Sequence, residues 1–177
     1  ATAEATFFHL SAWQGLFESA LRHDTHYLYA TSGQDVVGIL PLVEVKTVFF
    51  GHTLASLPYL AYGGVVAEDP LVAKALEDAA DALARRLGVA HLEMRQRVRQ
   101  HDDWPRLDNY VTFRKAIEAT DEANLLAIPR KQRAMVRKGI KQGLVARFDT
   151  NVEQFFALYA HGMHRHGTPA LPRRFFE

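Results

Sequence analysis

The sequence predicts an α/β fold: a mixed β-sheet with helices packed against it. Three observations point there. A capped, amphipathic helical segment at residues 70–87 lies between runs rich in β-branched and aromatic residues. The elements follow in the order helix, strand pair, strand, helix, strand, strand, which suits a layered domain whose sheet has both parallel and antiparallel neighbours. Apolar residues make up 48% of the 177 residues and charged ones 23%, enough for one good core, or for one domain and part of another.

Each element has a local reason. "SAWQGLFESALRHD" places Trp13, Leu16, Phe17, Ala20 and Leu21 at helical spacing behind Ser11 as a cap, giving a helix over 11–22. "HYLYA", the turn "TSGQD" and "VVGILPLVEVKTVFF" read as strand, turn, strand. Pro41 inside the second run predicts an edge position or a bulge there. "GHTLASLPYLAYGGVV" predicts a short strand opening into a loop lined by Tyr59 and Tyr62. Then Asp69 caps, Pro70 starts and Gly88 stops a helix whose apolar stripe is Val72, Leu76, Ala79, Leu83 and Leu87. Leu76, Leu83 and Leu87 are expected in the core. "VAHLEMR" (89–95) and "YVTFRKAIEA" (110–119) predict two further strands.

After Thr120 the pattern changes. Pro129 and Gly143 bracket a helix at 129–142, followed by a short strand, "LVARFDT", and a helix, "VEQFFALYAHGMHRHG". In that last helix Phe155, Leu158 and Tyr159 are expected on the buried side, with Phe156 beside them. The chain divides into a first domain at 1–120, a basic connecting helix at 121–143 and the start of a second domain at 144–177. The apolar faces of that last part need partners, from the first sheet, from further chain or from a second copy in a dimer.

Composition removes several classes. With no cysteine there are no disulfides, thiolate nucleophiles or thiolate metal sites. A net charge of +1 gives no chain-wide attraction to polyanions. No apolar run reaches membrane-spanning length, and "ATAEATFFHL" lacks the basic-then-apolar pattern of a secretory signal, so a cytoplasmic location is expected.

Against that neutral background, residues 128–143, "IPRKQRAMVRKGIKQG", hold six lysines or arginines and no acid. On a helix, Arg130, Arg133, Arg137 and Lys141 share one stripe, with Lys131 and Lys138 beside it. Like charges at this spacing cost a few tenths of a kcal/mol per pair, and no acid lies between Glu122 and Asp149 to answer them. Either carboxylates from elsewhere in the fold meet the stripe, or it is an anion site for phosphate groups, to which arginine forks are suited. The glycine-rich phosphate loops GxxxxGK[ST] and GxGxxG are absent, so side chains would make the contacts.

The order and spacing of several short motifs resemble the FemAB-type aminoacyl- and acyltransferases, relatives of the GNAT N-acyltransferases. The family's basic helix has an arginine, a hydrophobic residue and an Arg-Lys pair, here Arg133, Val136, Arg137 and Lys138, followed by Gly143. Its next helix is matched by Phe155, Leu158 and Tyr159, its Arg-x-Gly turn by Arg165 and Gly167, and its proline before paired aromatics by Pro172, Phe175 and Phe176. "LPYLAYGG" (57–64) resembles the strand end that borders the acceptor pocket. The resemblance covers nearly the whole chain, is strongest from Ile128 onward, and is nearest to FemAB-related proteins of bacterial exopolysaccharide and exosortase systems.

The resemblance implies two tandem GNAT-like domains, of which this chain holds the first and the opening of the second, and a piece inactive alone. It implies attack of a substrate amine on an activated acyl ester or thioester, with aminoacyl-tRNA or acyl-CoA as donor. The acceptor would be a small or nucleotide-linked precursor of the cell envelope or of exopolysaccharide. The expected substrate-binding residues are Tyr59, Tyr62, Arg130, Lys131, Arg133, Arg137, Lys138, Lys141 and Arg165; no catalytic residue is assigned, and neither a cofactor nor DNA is expected. His161 and His164 share a helix face, but without a nearby carboxylate they are expected to be ordinary histidines near a helix end. His101, Asp102 and Asp103 read as a polar surface loop, and Glu93 as a partner of Arg95 on one strand face. The competing reading is a noncatalytic module that binds anions or nucleic acid through the basic helix, and a third is a carbohydrate-associated scaffold.

Overall fold

The computed structural model describes residues 5–48, 51–98, 101–107, 109–146 and 148–177. Phe49 and Phe50 of the expected second strand, Arg147 of the expected 144–150 strand and parts of the polar connection after residue 98 lie outside the described residues.

The core of the fold is a hairpin and what covers its two faces. β1 (Asp24–Ser32) and β2 (Asp35–Thr47) run antiparallel around Gly33, whose φ of 63° suits a residue without a Cβ. A bulge falls between Ala30 and Thr31. β3 (Gly51–Ala55) pairs antiparallel with the second half of β2, and the two-residue β4 (Val66–Ala67) with the first half. β5 (His91–Glu93) joins β3 in parallel, so the sheet is mixed, as predicted.

Pro41 is neither on an outer edge nor at the bulge. It is fully buried and stays in register with Tyr27 of β1, while on the other flank β3 pairs from Val43 and β4 only as far as Ile39. The proline, which has no N–H to give a ladder, occupies the gap between two partner strands.

Alternation along β2 assigns the faces. Leu40 and Leu42, with Leu54 of β3, pack under α2 (Pro70–Leu87) against Leu76, Ala80, Leu83 and Ala84. Val43 points the other way, into a smaller cluster with Phe17 and Leu57. Fully burying one leucine is worth about 1.5–3 kcal/mol, so these few side chains dominate the packing. α2 starts and stops where the sequence says. The Asp69 carboxylate accepts from the N–H groups of Leu71 and Val72, Pro70 follows, and Gly88 ends the helix at φ 65°. Leu76 and Leu83 are buried and Leu87 lies against the cluster, but the expected Ala79 is exposed. The stripe is rotated by one residue, with Ala80 and Glu77 inside. α2 approaches β2 closely at Gly38, where an added Cβ would stand 2.7 Å from Val72.

The first helix forms within one residue of each expected end, but only its first half is α-helical. α1 (Ala12–Leu16) continues as one π-helical turn, Phe17–Leu21, and Arg22 closes it at φ 57°. Ser11 makes no side-chain cap; the capping hydroxyl is Thr6, at the start of a 3-10 turn over Phe7–His9.

The second half departs most from expectation. None of residues 110–119 and none of the described residues of 144–150 lies in a strand, and Tyr110, Phe113, Ile117 and Phe148 are exposed. A β-strand exists only with a neighbour, and nothing among the described residues pairs with these segments. The expected helices at 129–142 and in the last segment do form, as α4 (Arg130–Lys141) and α5 (Val152–Arg165). The 121–143 connection is not one helix: a separate short helix, α3 (Asp121–Leu126), precedes α4 and ends before Pro129. On α5, Phe155 and Leu158 are exposed, whereas Phe156 and Tyr159 are half-buried, because the helix packs on the C-terminal turn and Phe176. That turn meets the first helix. Phe175 lies 6.4 Å from Trp13 between ring centres, and the Arg174 guanidinium donates to the Ala20 carbonyl.

Candidate functional site

The parallel pair β3 and β5 brings two carboxyl ends to one edge of the sheet, the place where open α/β sheets present ligand-binding loops. The loop leaving β3, residues 56–65, is fastened there by Arg95. Its guanidinium donates to Glu93 Oε1 at 2.7 Å and to the Leu60 carbonyl at 3.0 Å. Its backbone N–H donates to Ser56 Oγ at 2.7 Å, and its carbonyl accepts from Gly63 and Gly64, each at 3.1 Å. Both glycines are sterically required: a Cβ would come 2.7 Å from Leu57 at Gly63 and 2.3 Å from Gln96 at Gly64. His9 adds a clamp. The Thr6 N–H occupies its Nδ1, leaving the Nε2 hydrogen to donate to the Gly64 carbonyl at 2.9 Å.

Inside this fastened loop the backbone is strained. Leu57 (φ 52°) and Tyr59 (φ 69°) adopt the left-handed region without being glycine. Such residues cost on the order of 1–3 kcal/mol each and concentrate at functional sites. Leu57 is held by burial in the cluster with Phe17 and Val43. Tyr59 is 48% exposed; its ring stacks on Phe17 and on His23, and its hydroxyl meets His23 Nε2 at 3.2 Å. Burial pushes the Tyr59 hydroxyl above its ordinary value, opposed by the nearby Arg95 charge. Burial pushes His23 below its ordinary value, opposed by Asp24. Tyr62 tilts against Phe8 at 6.3 Å, and the Arg97 guanidinium stands 5.9 Å from its ring centre. The two predicted tyrosines thus share one loop, braced against the N-terminal helix.

The basic helix forms a second locus. Arg133 turns back along the chain and donates to the carbonyls of Leu126 and Ile128 at 2.9 and 3.0 Å, which ties α4 to the end of α3. Arg130, Lys131, Arg137, Lys138 and Lys141 are all exposed, and none of their side chains makes a hydrogen bond or ion pair among the described residues. The seam opposite is also open, with Met135 and Ile140 each 66% exposed. Arg165 is exposed at the end of α5. Among the described residues no hydrogen bond or ring contact joins α4 or Arg165 to Tyr59 or Tyr62. The structure brings the tyrosines together and the helix cations together, as two separate sets.

Three groups had no place in the sequence reading of the site. His23 and Arg95, just described, are two of them. The third is Glu44, 4% exposed on β2, which accepts from His52 Nε2 at 2.5 Å, Lys46 Nζ at 2.8 Å and His26 Nε2 at 3.2 Å. Burial alone would raise this carboxyl, but the hydrogen bonds from Lys46, His26 and His52 more than reverse it and hold it at about 2. The lysine already neutralises the carboxylate, so the cluster is a closed ion network, and no group among the described residues is suited to a metal ion. A signal for it was legible: Glu44 continues the inward alternation of Leu40 and Leu42, with Lys46 two residues on at the exposed end of the same face. Elsewhere, beside α2, an open groove of about 910 Å³ is lined by Glu68, Asp78, Asp81 and Trp104 among others. Buried Glu77 at its wall accepts from Gln96 and His101. Glu93 pairs with Arg95, as its strand position suggested.

These features define the class: a mixed-sheet α/β domain with a fastened loop at the strand ends, followed by a cationic helix. No family model and no curated protein matches the sequence. Among solved structures, the crystal structure of FemX is similar to the whole of this chain, with a TM-score of 0.66 at 17% sequence identity. The match covers 100% of this chain and 49% of FemX, so the chain spans about half the length of that protein. At this identity the similarity establishes a FemX-like fold.

Proposed function

We propose that the chain belongs to an N-acyltransferase of the FemAB type, with a GNAT-like first domain, that moves an aminoacyl or acyl group from an activated donor to an amine. The observation that carries the reading is the basic helix α4, standing in the order the FemAB pattern requires within a chain similar to FemX along its entire length. The donor is an aminoacyl-tRNA or an acyl-CoA; both carry phosphates, and the six cations of α4 have no carboxylate partner among the described residues. The acceptor is an amine of a cell-envelope or exopolysaccharide precursor, bound at the fastened loop with Tyr59 and Tyr62 as walls that are apolar with a polar tip. Direct attack needs the amine deprotonated and held in line with the carbonyl, which is positioning work suited to a rigid loop.

The test is transfer by the full-length protein of radiolabel from aminoacyl-tRNA or acetyl-CoA to an amine acceptor. Label in an amide bond, lost when Arg137 and Lys141 are both changed to Gln, is the expected result. The exposure of α4 on every side also suits a module that only binds anions. Salt-dependent binding of tRNA without any transfer from either donor would establish that second reading in place of the first.

A further inference from the structure

Building on the transferase reading, we propose that Tyr59 and His23 form a two-residue proton relay that deprotonates the attacking amine. The pair is joined at 3.2 Å between the Tyr59 oxygen and His23 Nε2, with the two rings 15° from parallel. The relay uses the tautomer with the His23 ring hydrogen on Nδ1, in which the Tyr59 hydroxyl donates to Nε2. One lone pair of the Tyr59 oxygen is left for a substrate proton, on a side chain that is half exposed at the strand-end edge. A glycine at position 59 would relieve the left-handed backbone, yet a tyrosine stands there and is braced on Phe17 and His23. Strain of this kind holds a reactive group in one place. The groups that face the pair are the Asp24 carboxylate beside His23 and the Arg95 guanidinium beside Tyr59. Burial keeps the imidazole neutral and the phenol protonated at pH 7, the states from which a proton can move in this direction.

The step balances as follows. The amine nitrogen bonds to the carbonyl carbon, and the carbon–oxygen bond of an aminoacyl ester, or the carbon–sulfur bond of a thioester, breaks with its electron pair. The proton released from nitrogen passes to the Tyr59 oxygen as the phenolic proton moves to His23 Nε2. The return passage protonates the leaving oxygen or sulfur and restores both side chains.

The experiment uses the full-length protein with aminoacyl-tRNA and acetyl-CoA as donors, together with Tyr59→Phe and His23→Gln variants checked for thermal stability. The expected result is a fall in kcat of roughly 10²–10³-fold in each variant, with KM within about twofold. The acid limb of the wild-type rate profile should follow the His23 titration seen by imidazole NMR and disappear in His23→Gln. An active wild type whose rate and pH profile are unchanged in both variants overturns the relay and leaves the transferase reading standing. A folded wild type inert with both donors overturns the transferase reading, and the relay with it. If His23→Gln fails to fold, Tyr59→Phe, which keeps the ring and its stacking, decides alone.

Discussion

Glu44 and His52 face each other diagonally across β2 and β3, carboxylate to imidazole at 2.5 Å, at the end of the sheet face that α2 covers. Their bond is one arm of a network that also takes in His26 and Lys46, and it makes the fold acid-sensitive. The Glu44 carboxyl is held at about 2 in the folded chain against an ordinary value of 4.5. A depressed folded value stabilises above the unfolded one and is lost as pH falls. Stability should therefore decline from about pH 5 towards pH 2. Allowing for solvent screening of the partly exposed partners, the loss is about 1–2 kcal/mol. Glu44→Gln should flatten that limb and cost about 1–3 kcal/mol at pH 7, read from urea unfolding across pH.

The Tyr27 hydroxyl is buried without a hydrogen-bond partner among the described residues, and burial, with Glu18 nearby, pushes it up to about 12. Removing an unpaired polar group relieves its desolvation penalty. Tyr27→Phe should leave the fold intact and raise its stability by about 1 kcal/mol, seen as a higher Tm.

Leu83 is 6% exposed under the sheet. Leu83→Asp would place an unpaired carboxylate among Leu42, Leu54 and Leu76, at a cost of about 3–5 kcal/mol. Wild-type thermal stability in that variant would contradict the packing of α2.

On α4 the charges of Arg137 and Lys141 can be removed without touching the fold. Arg137→Gln with Lys141→Gln should shift stability by no more than about 0.5 kcal/mol, because neither side chain has a partner among the described residues. If both contact phosphate, the slope of log affinity for tRNA against log salt should fall by about 1.4–1.8. Arg133→Gln differs: it also frees the carbonyls of Leu126 and Ile128, so it should loosen the α3–α4 turn as well as weaken binding.

Gly63→Ala brings a methyl group 2.8 Å from the Ser56 carbonyl. The loop must move, and with it Tyr59 and Tyr62. Expected are a destabilisation of about 1–3 kcal/mol and weaker acceptor binding, measured by unfolding and by titration.

Local chemistry was legible and non-local chemistry was not. Asp69, Pro70 and Gly88 specify α2 through contacts within a few residues, and the sequence alone placed both of its ends. The hairpin of β1 and β2 was legible for the same reason. The strand expected at 110–119 rested on composition alone, and pairing depends on a neighbour that a propensity cannot name. Tyr59 and Tyr62 were placed on the right loop by the glycines around them. His23 was missed because 36 residues separate it from its partner, and no pattern reveals that Tyr59 would take a left-handed backbone. The cations of α4 were plain from sequence, but the turning back of Arg133 onto α3 was not.

Pro41 governs more than its own position. Continuing the two registers past Val43–Ala55 and Ile39–Val66 sets Leu57 and Gly64 opposite Pro41, the two points where the loop leaves and rejoins the sheet. A residue with no N–H stops both zippers at the same tooth. Residues added between 58 and 62 would swell the loop outward without sliding either strand. This makes the stretch a natural socket: a graft there could change what is bound while β2 holds the frame unchanged.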